Sequence, residues 1–207
     1  MQYILIFISA IFVNNVVLSQ FLGICPFLGV SKKVDTAKGM GLAVTFVLVL
    51  ATIVTYLLQV WVLNPLNLAY LQTIVFILVI AALVQMVEIV LKKLSPSLYQ
   101  ALGVFLPLIT TNCCILGVSI LVANGTYDPQ GLPVNLLTGV VYALCTAIGF
   151  ALALIVFAGL REQMEMVKIP RGMQGMSVAL VTAGLLALAF MGFGGMDKGI
   201  AQFFGIG

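Results

Sequence analysis

Two short stretches of this 207-residue sequence are near copies of each other: Cys25-Pro-Phe-Leu-Gly-Val-Ser31 and Cys113-Cys-Ile-Leu-Gly-Val-Ser119. Five of their seven positions are identical, including the first cysteine and the serine, and the offset between them is 88 residues. Upstream, Leu18 aligns with Leu106 at the same offset. Because cysteine is rare in this chain, chance is a weak explanation, and the sequence predicts an internal repeat. We refer to the two stretches as copy one and copy two.

The composition around the two copies is too apolar for a water-soluble domain. Hydrophobic residues make up 63% of the chain and charged residues 7%, against about 45–50% and 25% in typical globular proteins. The absence of histidine excludes His-based acid–base catalysis, Ser-His-Asp triads, histidine-ligated haem and the usual zinc sites. A net charge of +3, with no basic run longer than two residues, excludes a nucleic-acid-binding surface. The composition therefore predicts an all-α polytopic protein of the lipid bilayer.

Six apolar stretches lie between the charged residues, and each can supply the roughly 20 residues that a helix needs to cross the hydrocarbon core. Their approximate bounds are 3–30, 40–63, 69–91, 98–122, 134–160 and 177–196. They form a single integral membrane domain over residues 1–207, with repeat one at about 1–95, repeat two at about 96–196 and a short tail at 197–207. Met1-Gln2-Tyr3 carries no positive charge, so we expect the first stretch to be a retained helix and not a cleaved signal peptide.

The positive charges predict the orientation of these spans. Eight of the nine Lys and Arg residues lie in the first, third and fifth loops, and only Lys198 lies on the other side. The positive-inside rule places those loops in the cytoplasm and both termini outside. Trp61 and Tyr70 flank the uncharged second loop, where an outer aromatic belt is expected.

The two copies fall in the first and fourth spans, so they cross the bilayer in opposite directions. This is the pattern of a 3+3 inverted repeat with a pseudo-two-fold axis in the membrane plane. Both copies contain helix breakers: Pro26 with Gly23 and Gly29 on either side in copy one, and Pro107, the polar run Thr110-Thr111-Asn112 and Gly117 in copy two. We expect the first and fourth helices to be broken, with Cys25 and Cys113 facing each other inside the bilayer.

The four cysteines divide into a repeated pair, Cys25 and Cys113, and two without a counterpart, Cys114 and Cys145. We expect the latter two to be small buried hydrophobes. A disulfide between the repeated cysteines is possible but would add little to helices already held by the bilayer. Metal binding is the sharper hypothesis, because buried thiolates need a neutralising cation. Zinc sites and iron–sulfur clusters take four ligands, and sharing two plus two with another membrane subunit would satisfy that count.

Glu88 is the one carboxylate inside a predicted span, and an intramembrane acid is a functional hypothesis by default. It lies four residues before Lys92, near the cytoplasmic end of the third span. An i,i+4 ion pair therefore explains Glu88 better than a role in ion coupling.

Several long motifs resemble the A-type subunit family of the Rnf electron-transport complex. The stretch Phe21-Leu-Gly-Ile-Cys-Pro-Phe-Leu-Gly-Val-Ser-Lys-Lys33 resembles the first family signature, and Leu102-Gly-Val-Phe-Leu-Pro-Leu-Ile-Thr-Thr-Asn-Cys113 the second. Ile169-Pro-Arg-Gly172 and Thr182-Ala-Gly-Leu185 are similar to later family stretches. The resemblance covers nearly the whole chain. The E-type subunit of the Na⁺-translocating NADH:quinone oxidoreductase is a close cousin, but the spellings around the two cysteines favour the Rnf form.

The resemblance implies a function that agrees with the repeat. Members have six helices in an inverted repeat, and they pair with a homologous membrane protein of opposite topology, the E-type Rnf subunit. The two proteins would share one intramembrane [2Fe–2S] cluster, with Cys25 and Cys113 as this chain's ligands. The cluster would relay electrons across a bacterial or archaeal cytoplasmic (inner) membrane in a ferredoxin:NAD oxidoreductase complex that translocates Na⁺ or H⁺. Flavins are expected only in other subunits, and Cys114 stands where relatives can carry another residue.

A different class of function remains open on the residues alone. A secondary transporter, or the membrane component of a solute uptake system, would also have about six helices and broken repeats. In that case Asn14, Asn15, Thr110 and Asn112 would line a substrate pocket, unless they serve as interhelical hydrogen-bonding groups. A third option is a purely structural subunit whose cysteines only pack.

Overall fold

A computed structural model describes residues 6–66, 68–94, 106–125, 135–167, 175–196 and 199, and the regular structure in these ranges is all helical. Four described runs are long and apolar enough to cross a membrane: Val34–Leu66, Gln72–Val90, Pro107–Asn124 and Leu136–Glu165. The all-α class is therefore confirmed, while six spans and the inverted repeat stay predictions. The described ranges leave out residues 168–174, residues 102–105 at the start of the second signature, and the tail apart from Gly199.

The described helices are numbered here in chain order. They are α1 (Ser9–Val13, π-helical), α2 (Ile24–Val30), α3 (Val34–Leu58), α4 (Gln72–Leu94), α5 (Leu106–Thr110), α6 (Cys113–Asn124), α7 (Leu136–Glu165) and α8 (Met176–Met191). The chain groups into two compact units, one of Met1–Gly41 with Cys145–Gly207 and one of Leu42–Leu144. These units do not follow the predicted repeat halves, because the first unit draws on both of them.

Helix α3 begins before the second predicted span, on its charged side, and the helical run that it starts continues to Leu66, beyond the predicted end. Asp35 lies in its first turn, where the positive end of the helix dipole stabilises a carboxylate. Within the span, the buried hydroxyls of Thr52 and Thr55 donate to the carbonyls of Leu48 and Ala51, at 2.8 and 2.7 Å. This back-bonding satisfies hydroxyls where no water is available. A π-helical turn at Gln59–Leu63 and a short turn at Asn64–Leu66 then complete the run.

Helix α4 is one-sided. Phe76, Ile80 and Val84 recur every four residues and are buried, while Ile77 and Leu78 on another face are exposed. An exposed apolar face is expected of a helix that contacts lipid. Within the second unit, α4 packs against α5 and α6.

Helix α7 is the most deeply buried of the membrane-length helices described. Small residues such as Ala143, Ala147 and Ala153 alternate on it with the fully buried rings of Phe150 and Phe157. Small side chains let neighbouring backbones approach closely, which is the usual basis of helix packing in a bilayer.

Helix α8 covers most of the sixth predicted span but has only 16 residues. It ends at Met191 because a glycine-rich turn follows, in which Gly195 has a φ of 94°. In the first unit, α8 packs against α1 and α2. The rings of Phe12 and Phe193, 6.0 Å apart, join the start of the chain to the turn after α8.

Candidate functional site

Copy one follows a long break in the first predicted span. The chain leaves the helix after α1 and returns to it only at α2, so residues 14–23 are non-helical apart from turns. Within this break, Phe21 and Gly23 have positive φ values of 56° and 81°, and such a value is uncommon for a residue other than glycine. Cys25 is the second residue of α2, and its side chain is exposed.

Of the three helix breakers expected in copy one, only Gly23 lies at the break, directly before α2. Pro26 does not interrupt the helix; it lies in the first turn of α2. Proline is tolerated there because the first amide groups of a helix have no helical acceptor. The unwound segment therefore ends at Gly23. A short helix follows it, and Cys25 lies in the first turn of that helix.

Asn15 holds the break together. Its side chain is fully buried, and its Nδ2 donates to the carbonyls of Ile11 and of Gly149 in α7, both at 3.0 Å. Its Oδ1 accepts from the amides of Val17 and Leu18, at 3.1 and 3.4 Å. The Asn15 amide thus replaces backbone hydrogen bonds that the break leaves open, at a depth where irregular backbone has no water to bind.

Glycine in α7 permits this contact. A Cβ atom added to Gly149 would lie 3.2 Å from both the carbonyl oxygen of Ala10 and the Cα atom of Ile11. Both are backbone atoms, which cannot move aside as a flexible side chain could. The close approach of α7 to α1 therefore requires glycine at this position.

Helix α2 packs its apolar face against α7 and leaves Cys25 outside that contact. Pro26, Phe27 and Val30 are buried. The ring of Phe27 stacks on that of Phe157, with centroids 4.3 Å apart and planes at 16°. The packing fixes one face of α2 and leaves the Cys25 thiol accessible.

Copy two also starts a helix after a break, but the break is short. Helix α5 ends at Thr110, and α6 begins at Cys113. The side chain of Asn112 accepts a hydrogen bond from the amide of Cys114 at 3.0 Å, so it is the N-cap of α6. Pro107 again lies in the first turn of a helix, and the break falls within the polar run Thr110-Thr111-Asn112, as the sequence predicts.

Exposure separates the two repeated cysteines from the two that have no counterpart in the repeat. Cys25 and Cys113 are exposed, each in the first turn of a helix, whereas Cys114 and Cys145 are buried. All four are thiols without disulfide bonds. Among the described residues, no three Cys, Asp or Glu side chains form a group that could hold a metal ion. Each copy therefore presents an exposed thiol, a residue type that can ligate a metal once it is deprotonated.

The polar residues of the transporter alternative have mostly structural positions. Asn15 makes all of its hydrogen bonds described above to the chain's own backbone. Asn14 is exposed and donates to the Ser9 hydroxyl at 3.3 Å, and Asn112 caps α6. Asn15 and Asn14 belong to the first unit, and Asn112 to the second. The contacts of Asn15 and Asn112 support the hydrogen-bonding interpretation.

Glu88 forms the expected ion pair. Its Oε1 lies 3.4 Å from the Nζ atom of Lys92, and the two side chains are 33% and 50% exposed. This geometry favours an interfacial pair on α4 over a buried coupling site.

Sequence reasoning missed three residues that support copy one: Asn15 as the organiser of the break, and Arg161 with Glu162 at the end of α7. The contacts of these residues join positions 128 to 134 residues apart, as in the bonds of Asn15 to Gly149 and of Glu162 to Val34. A polar residue inside an apolar span was the available signal for Asn15. Arg161 and Glu162 resemble ordinary loop charges in the sequence.

The comparison with known protein families concerns nearly the whole chain. A family model described as "Rnf-Nqr subunit, membrane protein" matches residues 3–197. The chain belongs to the Rnf-Nqr family. It is thus a multi-pass membrane protein, which agrees with the four membrane-length runs, and the resemblance seen in the two cysteine motifs is confirmed.

Curated relatives of this Rnf-Nqr protein cover nearly all of it. It is 57% identical over 199 residues to the A subunit of the "Na(+)-translocating ferredoxin:NAD(+) oxidoreductase complex" of Acetobacterium woodii, covering 96% of this chain and 100% of that one. It is 56% identical over 196 residues to the A subunit of the "Ion-translocating oxidoreductase complex" of Syntrophotalea carbinolica, covering 95% and 98%. The protein of the same name from Escherichia fergusonii is 52% identical over 197 residues, with the same coverage.

Proposed function

We propose that this chain is the A-type subunit of an ion-translocating ferredoxin:NAD oxidoreductase complex in a bacterial or archaeal cytoplasmic (inner) membrane. The observation that carries the proposal is the exposed cysteine in the first turn of a helix in each copy, together with the names of the relatives. The chain is a subunit of a translocase and has no catalytic residue of its own. We further propose the six-span inverted repeat, with both termini outside.

In this proposal Cys25 and Cys113 are two of the four thiolate ligands of an intramembrane [2Fe–2S] cluster. The other two come from a homologous membrane protein of opposite topology, the E-type Rnf subunit. The donor set fits: thiolate is the ligand that such clusters take, and the two thiols are exposed on this chain. A cluster of this kind accepts and returns one electron at a time.

The overall redox balance involves other subunits. Two electrons from reduced ferredoxin pass one at a time, and NAD⁺ takes up both with one proton to form NADH. Flavins that convert between one- and two-electron steps belong to those subunits. The residues of this chain would hold the two thiolates in the first turns of α2 and α6, next to the buried side chains of Phe27 and Cys114 in the sequence. A change of charge at this site would supply the coupling to Na⁺ or H⁺ transport.

The test is the iron content and EPR spectrum of the whole complex, purified with its membrane partners without oxygen. Cys25→Ser and Cys113→Ser should each abolish the signal of this cluster and lower the iron content. Cys114→Ala and Cys145→Ala are the matched controls, since both side chains are buried, and both variants should keep the signal. Unchanged iron in both serine variants would contradict the proposal and favour the transporter alternative.

The orientation needs a separate test. A reporter fused at Lys168 should indicate the cytoplasm, and one after residue 207 should indicate the outside. An external signal from the Lys168 fusion would overturn the predicted topology.

A further inference from the structure

The short helix that carries Cys25 depends on contacts from outside itself. Helix α2 has seven residues, and isolated helices shorter than about 12–15 residues are marginal even for the best helix formers. Its N-cap, Gly23, makes no side-chain capping bond. Its orientation therefore depends on the elements that it touches, and the end of α7 provides polar contacts on both sides of the turn after α2.

Arg161 of α7 binds the C-terminal end of α2. Its Nη1 donates to the carbonyl of Leu28 at 2.8 Å and to the hydroxyl of Ser31 at 2.9 Å. The carbonyls of a last helical turn lack helical donors, and an arginine satisfies them and complements the negative end of the helix. The guanidinium carbon also lies 5.9 Å from the centre of the Phe157 ring, which stacks on Phe27.

Glu162, the next residue of α7, binds the start of α3. Its Oε1 accepts a hydrogen bond from the amide of Val34, the first residue of that helix, at 2.9 Å. A carboxylate is favourable at a helix start for the same reason that a cation is favourable at a helix end. Adjacent residues of opposite charge thus hold the two opposite helix ends on either side of the turn at residues 31–33.

The turn itself is closed by Thr36. Its hydroxyl lies 2.8 Å from the carbonyl of Lys33 and 3.2 Å from that of Val30, which it reaches across the turn. Helix α2, the turn and the start of α3 are therefore linked by side-chain hydrogen bonds as well as by the chain. A group that holds this turn also holds α2.

We propose that Arg161 and Glu162 form a latch through which α7 sets the position of Cys25. Both are positioning residues, because each binds the end of one of the two helices beside the turn. The proposal rests on the proposed function for its consequence, which is that the latch determines how well the Cys25 thiolate meets the cluster.

The first measurement tests the latch without reference to any cluster. Hydrogen–deuterium exchange is followed in the intact complex for amides of α2, in wild type and in Arg161→Gln. We expect exchange there to become faster on the order of tenfold, because two hydrogen bonds from a charged donor are lost. Arg161→Lys should restore part of the protection, since an ammonium can donate to one acceptor but lacks the planar fork. Glu165→Gln, an exposed acid one turn further on, is the control and should not change α2.

The second measurement tests the consequence for Cys25. In the anaerobic complex, Arg161→Gln should shift or broaden the EPR signal that Cys25→Ser abolishes. It should also speed iron loss to a chelator on the order of tenfold, the lower end of the effect of losing groups that orient metal ligands. Arg161→Lys should lie between Arg161→Gln and wild type, and Glu165→Gln should match wild type.

The outcomes separate the two proposals. Unchanged α2 exchange in Arg161→Gln overturns the latch, and faster exchange with an unaltered spectrum and iron loss overturns its positioning role. A signal that survives Cys25→Ser contradicts the cluster itself, whatever Arg161 does. If Arg161→Gln does not assemble, Ser31→Ala decides: it keeps the bond to Leu28, so smaller changes in the same direction support the latch, and wild-type behaviour overturns it.

Discussion

Copy one and copy two share five of seven residues, yet their helices are stabilised in different ways. Helix α2 has seven residues, no side-chain N-cap and an arginine from α7 at its end. Helix α6 has 12 residues, the side chain of Asn112 at its start, and Gly125 in the left-handed conformation at its end. The end of the copy-one helix is bound by a residue of another helix, whereas both ends of the copy-two helix are capped by residues next to it in the chain.

The residues that flank the motif explain the difference. After Ser31 come two lysines, which favour a turn at the water interface, and the chain reverses into α3. After Ser119 come Ile120 and Leu121, so the apolar helix continues. Asn112, the residue before copy two, caps its helix. The equivalent residue before copy one, Ile24, has no side-chain oxygen and cannot form such a cap. Identical residues therefore present a cysteine similarly, but their neighbours decide which part of the fold stabilises the helix.

The largest expected effect concerns the two asparagines. Asn15→Ala should lower the free energy of unfolding by about 2–4 kcal/mol, because the buried amides of Val17 and Leu18 lose their acceptor. Asn112→Ala should cost about 1 kcal/mol, the usual value of an N-cap. Denaturant unfolding of the purified chain in detergent measures both. Equal losses in the free energy of unfolding would mean that the asparagine at each break contributes the same stability, which would contradict the proposed difference between the two copies.

The next effect concerns the close approach of α7 to copy one. Gly149→Ala should destabilise by about 1–3 kcal/mol, because its new methyl group meets backbone atoms of α1. Gly159→Ala, in the same helix, has nothing within 4 Å of the added carbon and should gain up to about 1 kcal/mol from helix propensity. Thermal unfolding of the two variants gives the comparison. Similar midpoints would show that the break does not depend on this contact.

The two equivalent serines provide a matched pair. Ser31 is buried and accepts a hydrogen bond from Arg161, so Ser31→Ala should cost about 1–2 kcal/mol. Ser119 is equally buried, but its hydroxyl has no partner among the described residues. Ser119→Ala should therefore be neutral or slightly stabilising, because it removes an unpaired polar group. The same unfolding assay decides, and a larger loss for Ser119→Ala would contradict the proposed asymmetry.

The smallest effect is expected outside both copies. Glu88→Gln removes a partly exposed i,i+4 pair, so it should change stability by about 0.3–0.5 kcal/mol. Electron flow and ion transport should stay coupled, because the pair is partly exposed, as expected of an interfacial ion pair. Transport in reconstituted vesicles, measured per electron transferred, provides the check. Loss of coupling between electron flow and ion transport in Glu88→Gln would show that the residue takes part in ion transport.

Much of the candidate site follows from the sequence. The repeat alone separates Cys25 and Cys113 from Cys114 and Cys145, and the structure shows that the first two are exposed and the others buried. The polar run before Cys113 marks the break in copy two, because polar residues that cap a helix lie next to it in the chain. In copy one the sequence offers Gly23, Pro26 and Gly29 as breakers, and the structure has a break that ends at Gly23 and a helix at the other two. The true determinant of that break, Asn15, works through Gly149, which lies 134 residues away.

The sequence by itself determined the membrane class, the helical content, the repeat and the identity of the repeated cysteines. These depend on hydropathy, charge and spacing, which are local properties of the chain. Only the tertiary structure decided that α7 holds the break and the short helix of copy one, through Gly149, Phe157, Arg161 and Glu162. The reason is physical: a seven-residue helix after an unwound segment cannot stabilise itself, and the groups that satisfy it come from a helix far away in sequence.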